Sequence, residues 1–384
     1  QPLAHVPIGG GHLHLPGVSG NYASLAAGVD LGTQTEILIG VKVRTWRPSG
    51  DQSLFDQYPA SLMVWQRTTG KFQVYFGTSA NFMTASAIPT DAPLETVIKI
   101  VRDGTDASTE VFYKDHDGSF ASLGSATLGA VGGAPSGSGQ ELSIGRWRSG
   151  NQKYADCSYQ TLKVTADSTV VLDLDMSDGD HKASSFTCAS GQTVTINKSG
   201  NDPATIVRRP FLRFDGVDNF LTGSFNESNT TGGYMFVVYS VNGDGGEESG
   251  RVFVMNSAGE QGYNNNRSFM WSLRKSNDNN IAYYHSYTWR GIHTLGFDPV
   301  DGTLLHEVKA VDGSQFSKVN NGDIQTSSLG LSALSSEEFD IGANPSGSSN
   351  PAIDLEALYL FDETLTDNEA IKIRDHLNAN SSIY

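Results

Sequence analysis

The same landmarks occur twice along this chain, in the same order and at nearly the same spacing. Leu13-His14-Leu15-Pro16-Gly17-Val18 is answered 199 residues later by Leu212-Arg213-Phe214-Asp215-Gly216-Val217. Glu141-Leu142-Ser143-Ile144-Gly145 is answered 197 residues later by Glu338-Phe339-Asp340-Ile341-Gly342. A solenoid repeat runs roughly 20–50 residues, so this period is that of a whole domain present twice. The 384 residues are also long enough for two domains, each with its own core.

Between the landmarks lie short alternating runs. In Ile37-Leu38-Ile39-Gly40-Val41-Lys42-Val43 the apolar residues 37, 39, 41 and 43 fall on one face of a strand. Leu62–Trp65 and Phe72–Phe76 flank a hairpin signal at Thr68-Thr69-Gly70-Lys71. Met235–Tyr239 in the second half answers the run at 37–43, and Leu355–Phe361 reads as the last strand. Glycine is abundant, at 42 residues, and only 18% of the chain is charged. Many short strands with frequent turns predict antiparallel β-sandwiches, because each sheet must bury one face against another. One helix is expected after Thr366-Asp367-Asn368-Glu369, a capping box, with Ala370, Ile373 and Leu377 on one face.

The domain boundaries read as follows. Residues 1–11 end in Gly9-Gly10-Gly11 and suggest a flexible arm; 12–177 form the first domain; 178–209, punctuated by Pro203, connect it to the second domain at 210–384. The Gly/Ala/Ser-rich stretch 124–140 reads as a loop. Cys157 and Cys188 are compatible with one disulfide or with two thiols. The net charge of −16 repels phosphate backbones and argues against nucleic acid or an anionic membrane surface as partner. No apolar run reaches the ~18 residues of a membrane-spanning helix.

Two segments carry a resemblance. Phe214-Asp215-Gly216-Val217-Asp218-Asn219-Phe220-Leu221 resembles the opening strand of laminin-G-like, concanavalin-A-like jelly rolls. Ile353–Asp362 with Leu365–Glu369 is similar to that family's last strand and the short capped helix after it. The first half matches through the internal repeat, with Pro16-Gly17-Val18-Ser19 in place of the opening motif and no closing helix. The resemblance implies two tandem sandwiches of two antiparallel sheets each. The family includes lectins, glycosidases and virion proteins, so the fold alone selects no function. Leu172–Gly179 and Gly191–Ile196 look like linkers in tailed-phage structural proteins.

Glycosidases of this architecture place three acids along one strand. The nearest match is Glu338-Phe339-Asp340, where the third acid is missing; Asp173-Leu174-Asp175 has no Glu partner. His12 and His14 would share a strand face as a metal pair, with no further ligand evident from spacing. Calcium needs several oxygen ligands. Asp215 and Asp218 lie at one strand end and Asp354 and Glu356 share a face of the last strand, so the four would meet if first and last strands are neighbours, as the resemblance implies. Sugars are held by aromatic faces and a few polar groups. Trp271, Tyr287, Trp289 and Arg290 in the second half, the last three in an expected loop, and Trp46 and Trp147 in the first are the candidate glycan or partner contacts.

The sequence thus points to a non-catalytic, extracellular or virion-surface protein presenting lectin-like domains, expected to bind glycans or a host receptor, to contact other virion proteins and to form a homo-oligomer. A secreted glycan-binding module or adhesin is the alternative, and a glycoside hydrolase a distant one.

Overall fold

The computed structural model describes residues 3–5, 11–31, 34–46, 50–57, 62–67, 69–77, 80–84, 86–87, 94–103, 106–114, 119–130, 140–147, 153–224, 232–242, 251–256, 269–274, 280–285, 288–294, 303–311, 314–328, 338–342, 352–361 and 365–381. Two compact units result. The first sandwich comprises Val6–Ser199 and Pro203–Arg209; the second comprises Gln1–His5, Gly200–Asp202 and Pro210–Tyr384.

In the first sandwich one sheet runs in the order Ala121–Ala130, Asp106–Lys114, Leu94–Asp103, Glu36–Trp46, Asp156–Ala166, His12–Pro16 and Thr205–Val207, with Thr169–Asp175 also pairing with Asp156–Ala166. The facing sheet runs Ser185–Thr187, Thr193–Asn197, Tyr22–Leu25, Leu142–Ile144, Gln52–Gln57, Leu62–Gln66, Phe72–Phe76 and Ala80–Met83. The second sandwich repeats this plan. Its long-strand sheet is Leu3–His5, Phe211–Asp215, Ala352–Phe361, Gly232–Val241, Thr303–Val311, Ser314–Val319 and Gln325–Ser328. Its other sheet is Leu221–Ser224, Glu338–Ile341, Arg251–Asn256, Phe269–Arg274, Asn280–His285 and Thr288–Thr294. The fold is all-β, two tandem antiparallel sandwiches, with one α-helix at Asp367–Ser381.

Alternation explains the cores. Ile37, Ile39, Val41 and Val43 of one sheet meet Phe55, Val64, Phe72 and Val74 of the other. In the second sandwich Met235, Val237, Tyr239 and Val241 meet Val252 and Ile341. The repeated landmarks sit at one packing contact. A Cβ on Gly145 would lie 2.5 Å from Leu15 Cδ1, and one on Gly342 would lie 2.4 Å from Phe214 Cδ1. Both glycines have positive φ, +78° and +83°.

The two outer faces of the long-strand sheets differ. In the first sandwich that face is laced with cross-strand ion pairs: Glu36–Lys99 at 2.8 Å, Glu95–Lys114 at 3.8 Å and Lys163–Asp173 at 3.0 Å. In the second sandwich, Tyr234, Phe236 and Val238 on that face pack against Leu365, Ala370 and Leu377 at the helix. The capping box forms as expected: the Glu369 N–H donates to Thr366 Oγ1 at 3.3 Å and the Thr366 N–H donates to Glu369 Oε2 at 2.8 Å. Arg374 then grips Glu307 with a fork of hydrogen bonds of 2.7–2.9 Å, while the Tyr234 hydroxyl donates to Glu307 at 2.7 Å.

Several expectations are corrected. The stretch 124–140 is strand as far as Ala130. Backbone pairing with Asp106–Lys114 needs no apolar side chain, and register shifts at Ala107/Ser108 and Val111/Phe112 accommodate the glycines. The arm forms strand Leu3–His5 on the second sandwich. The segment 178–209 contributes three strands to the first sandwich rather than connecting two bodies. Buried Asn21 pins it: the Asn21 amide donates to Ser199 O at 3.0 Å, and the N–H groups of Ser199 and Ala204 donate to its carbonyl at 3.0 and 2.7 Å. The linker-like runs therefore lie in Thr169–Asp175, the short 3-10 turn Met176–Asp178 and Thr193–Asn197. Of the two readings of Cys157 and Cys188, that of two thiols holds: both are free and buried. The residues 287–291, expected in a loop, include 288–291 of the strand Thr288–Thr294.

Burial pushes the Tyr159 and Tyr239 phenols well above the ordinary tyrosine value, with Cys157 adding to it at Tyr159. Burial, then the hydrogen bond to Glu307, does the same for Tyr234. A raised phenol pKa favours the neutral form in the folded state. That stabilisation is complete below the ordinary value of about 10 and is lost as pH rises through the folded values. In a titration followed by tyrosinate absorbance, these phenols are expected to ionise only as the fold is lost. Ionisation of all 14 tyrosines in the folded protein would contradict this.

Candidate functional site

The best-defined polar and aromatic cluster lies on the short-strand sheet of the first sandwich. Leu142 and Ile144 point into the core, so alternation turns Glu141 and Ser143 to the other face. Ser143 stands opposite Ser24 on one side and Asp56 on the other. The Ser143 hydroxyl donates to Glu141 Oε1 at 2.8 Å, and Arg146 Nη2 donates to the same oxygen at 2.6 Å and to Ser143 Oγ at 3.1 Å. The Arg146 guanidinium lies 3.6 Å over the Tyr22 ring centroid, a cation–π stack that fixes both planes. Arg146 Nε is buried without an acceptor.

Arg146 bridges Tyr154, the Trp147 N–H donates to Lys153 O at 3.1 Å, and Ser19 Oγ donates to the Tyr154 hydroxyl at 3.4 Å. Lys153 Nζ reaches Asp51 at 2.5 Å and Arg67 reaches the same carboxylate at 3.2 Å. Trp147 is half-buried and follows Arg146 along this segment. Ser143 is fully buried, so it braces the partly exposed Glu141 and Arg146 side chains, whose geometry is held without a ligand.

Of the residues singled out in the sequence, Trp147 belongs to this cluster. Trp46 ends the strand Glu36–Trp46, in register with Cys157, and its side chain lies outside the described residues. Trp271, Trp289 and Arg290 are on strands, their side chains likewise outside the described residues, as is Tyr287 altogether. Backbone register puts Trp271 in the row of Phe253 and Ile341, and Trp289 in the row of Tyr284, Met270, Val254 and Asp340. The structure therefore does not draw Trp271 and Trp289 into one row. Tyr22 and Tyr154 escaped the sequence reading, and Glu141 and Ser143 stood out only as repeat landmarks, because these residues meet across strands that lie far apart in sequence.

Two of the four acids considered for calcium, Asp215 and Asp354, have other engagements. Asp215 Oδ1 accepts from the N–H of Val217 at 2.9 Å and of Asp218 at 3.4 Å, closing a turn, and Asp218 is exposed. Asp354 is 1% exposed and receives Arg213 on both oxygens, at 2.7 and 2.9 Å, and Asn242 Nδ2 at 2.9 Å. Glu356 is half-buried two residues along. First and last strands do pair, Arg213 opposite Asp354 and Asp215 opposite Ala352, yet the ion pair takes the carboxylate a cation would need. Among the described residues no group of three or more His, Cys, Asp or Glu is arranged to hold a metal ion. His12 and His14 are buried, 2% and 9% exposed, rather than at the surface. Asp173 pairs with Lys163, and Asp175 accepts from the Ser177 N–H at 2.8 Å, so neither is poised as an acid–base pair.

Arg213 is a further residue whose role the sequence reading missed. It is 2% exposed and also donates to Asp202 at 2.6 Å. Burial opposes its charge, but Asp354 and then Asp202 outweigh that and hold its pKa above the ordinary arginine value. Its signal was a charged residue inside the apolar run Phe211-Leu212-Arg213-Phe214.

No protein-family model matches the chain, and no curated protein is detectably similar. Among solved structures, the LG1-3 region of the laminin α2 chain is 13% identical, with 92% of this chain and 62% of that chain covered at a TM-score of 0.32. Domains LG4-5 of the mouse laminin α1 chain are 11% identical over 93% of this chain and 90% of that one, TM-score 0.33. A putative carbohydrate binding protein from Bacteroides ovatus is 11% identical over 51% of this chain and 59% of that one, TM-score 0.36. No helix among the described residues is long and apolar enough to cross a membrane.

Proposed function

We propose that the chain is a non-catalytic, extracellular glycan-binding protein, and that the partly exposed face built by Tyr22, Glu141, Arg146 and Trp147, braced by buried Ser143, is a contact surface. The observation that supports this most is the Arg146–Tyr22 stack at 3.6 Å, braced by Glu141 and Ser143. An aromatic ring and a guanidinium plane beside fixed donors and acceptors suit a sugar, which offers C–H faces and hydroxyls together. The charges on this face are paired with one another, so the reading is of a mainly neutral saccharide held by hydrogen bonds and stacking.

Screening the protein on immobilised glycans and measuring the best binder by calorimetry tests this. Arg146→Ala is expected to weaken binding about tenfold or more, equivalent to losing a charge-assisted hydrogen bond of about 1.5–3 kcal/mol. Tyr22→Phe keeps the ring and is expected to bind as the parent does. Binding unaffected by Arg146→Ala would move the site elsewhere. Loss of binding on adding EDTA would restore calcium to the mechanism, and turnover of the bound glycan would make the protein an enzyme.

A further inference from the structure

Each sandwich is finished at one edge by a strand that precedes the other in sequence. On the second sandwich Leu3–His5 pairs antiparallel with Phe211–Asp215: Leu3 opposite Arg213, Ala4 opposite Leu212, His5 opposite Phe211. On the first, Thr205–Val207 pairs antiparallel with His12–Pro16: Thr205 opposite His14, Ile206 opposite Leu13, Val207 opposite His12. The 199-residue repeat makes His12, Leu13 and His14 the equivalents of Phe211, Leu212 and Arg213. The two edge strands therefore occupy the same register on equivalent positions. The segment leading into the first repeat serves the second, and the segment leading into the second serves the first.

Reciprocal exchange of equivalent segments in one register is what a strand swap between two identical chains produces. A stray terminus settling on an open edge has no reason to reproduce it. Pairing of this kind runs through backbone N–H and C=O groups, which every chain carries alike, so the donor's identity matters less than its register. The contact here is only three residue pairs long. A copy of the same segment from another molecule would make the same bonds.

We infer that Leu3–His5 is a donor strand exchangeable between molecules, and that the partner it fits is a second copy of this chain, at the open edge of Phe211–Asp215. At low concentration the strand comes from the same chain. Refolding at high concentration replaces it with the strand of a neighbour and yields dimers or larger assemblies.

The full chain carrying Ala4→Cys and Leu212→Cys reports on this directly, because those residues are register partners. Cys157 and Cys188 are buried, and a chain with Ala4→Cys alone controls for them. Oxidation of dilute protein is expected to give an intrachain crosslink and a monomer on a non-reducing gel. Oxidation after unfolding and refolding at rising concentration is expected to give an increasing fraction of crosslinked dimer. Absence of the crosslink at every concentration overturns the strand assignment, and an exclusively intrachain crosslink overturns the exchange. A second measurement stands if that variant does not fold. The chain lacking residues 1–8 is mixed with the peptide of residues 1–8, which is expected to raise its melting temperature toward that of the full chain. The same peptide with Ala4→Pro, lacking one backbone donor, is expected to do less. Equal effects, or none, overturn the inference.

Discussion

Arg213→Ala is expected to cost the second sandwich about 3–5 kcal/mol, the usual penalty for breaking a buried ion pair from one side. Asp354 is 1% exposed, and without the guanidinium it loses a hydrogen bond on each carboxylate oxygen, while the Asn242 amide still donates to Oδ1. The Asp202 contact is lost as well, but that carboxylate is about one-third exposed and water replaces the arginine there. Denaturant unfolding measures the loss. The double variant Arg213→Met, Asp354→Leu is expected to recover most of it, since removing both charges also removes the cost of burying them. An Arg213→Ala protein within about 1 kcal/mol of the parent would show that the pair is not structural in this sense.

Gly342→Ala is expected to destabilise the same sandwich by about 2–5 kcal/mol. Two costs combine. A non-glycine residue held at φ +83° costs about 1–2 kcal/mol. The added methyl would meet Phe214 Cδ1 at 2.4 Å and Asn219 O at 3.2 Å, and overpacking of this kind costs about 1–3 kcal/mol. Gly145→Ala in the first sandwich repeats the test, with φ +78° and Leu15 Cδ1 at 2.5 Å. Combining Gly342→Ala with Phe214→Val relieves the collision but not the backbone, so a double-mutant cycle separates the two. If neither alanine variant loses stability, the shared glycine is not set by this contact.

These glycines also show why so much of the fold was legible. Gly145 and Gly342 recur because each closes the same contact with the first strand of its repeat, and that contact tolerates no side chain. The alternation at 37–43 showed which residues face the core, whereas 235–239 is apolar throughout because that strand is buried on both faces. The helix was readable because its signals are local: Thr366 and Glu369 are three residues apart, and Ala370 and Leu377 share a face. The glycan-contact face was not readable in this way. Tyr22 and Arg146 are far apart in sequence, and only the pairing of Leu142–Ile144 with Tyr22–Leu25 brings them together. Trp147 was found because tryptophan stands out in any window; Glu141 and Ser143 were seen only as repeat landmarks.

The sequence by itself determined that there are two related all-β domains, which faces of their strands are buried and where the one helix begins, because periodicity, turn chemistry and caps act over a few residues. The tertiary structure alone decided the edges and the charges. Strand edges carry unpaired backbone groups on every residue, so composition does not say that Leu3–His5 completes the second sandwich and Thr205–Val207 the first. A carboxylate's role depends on which cation reaches it first: Asp354 read as a candidate metal ligand until the strand pairing set Arg213 opposite it.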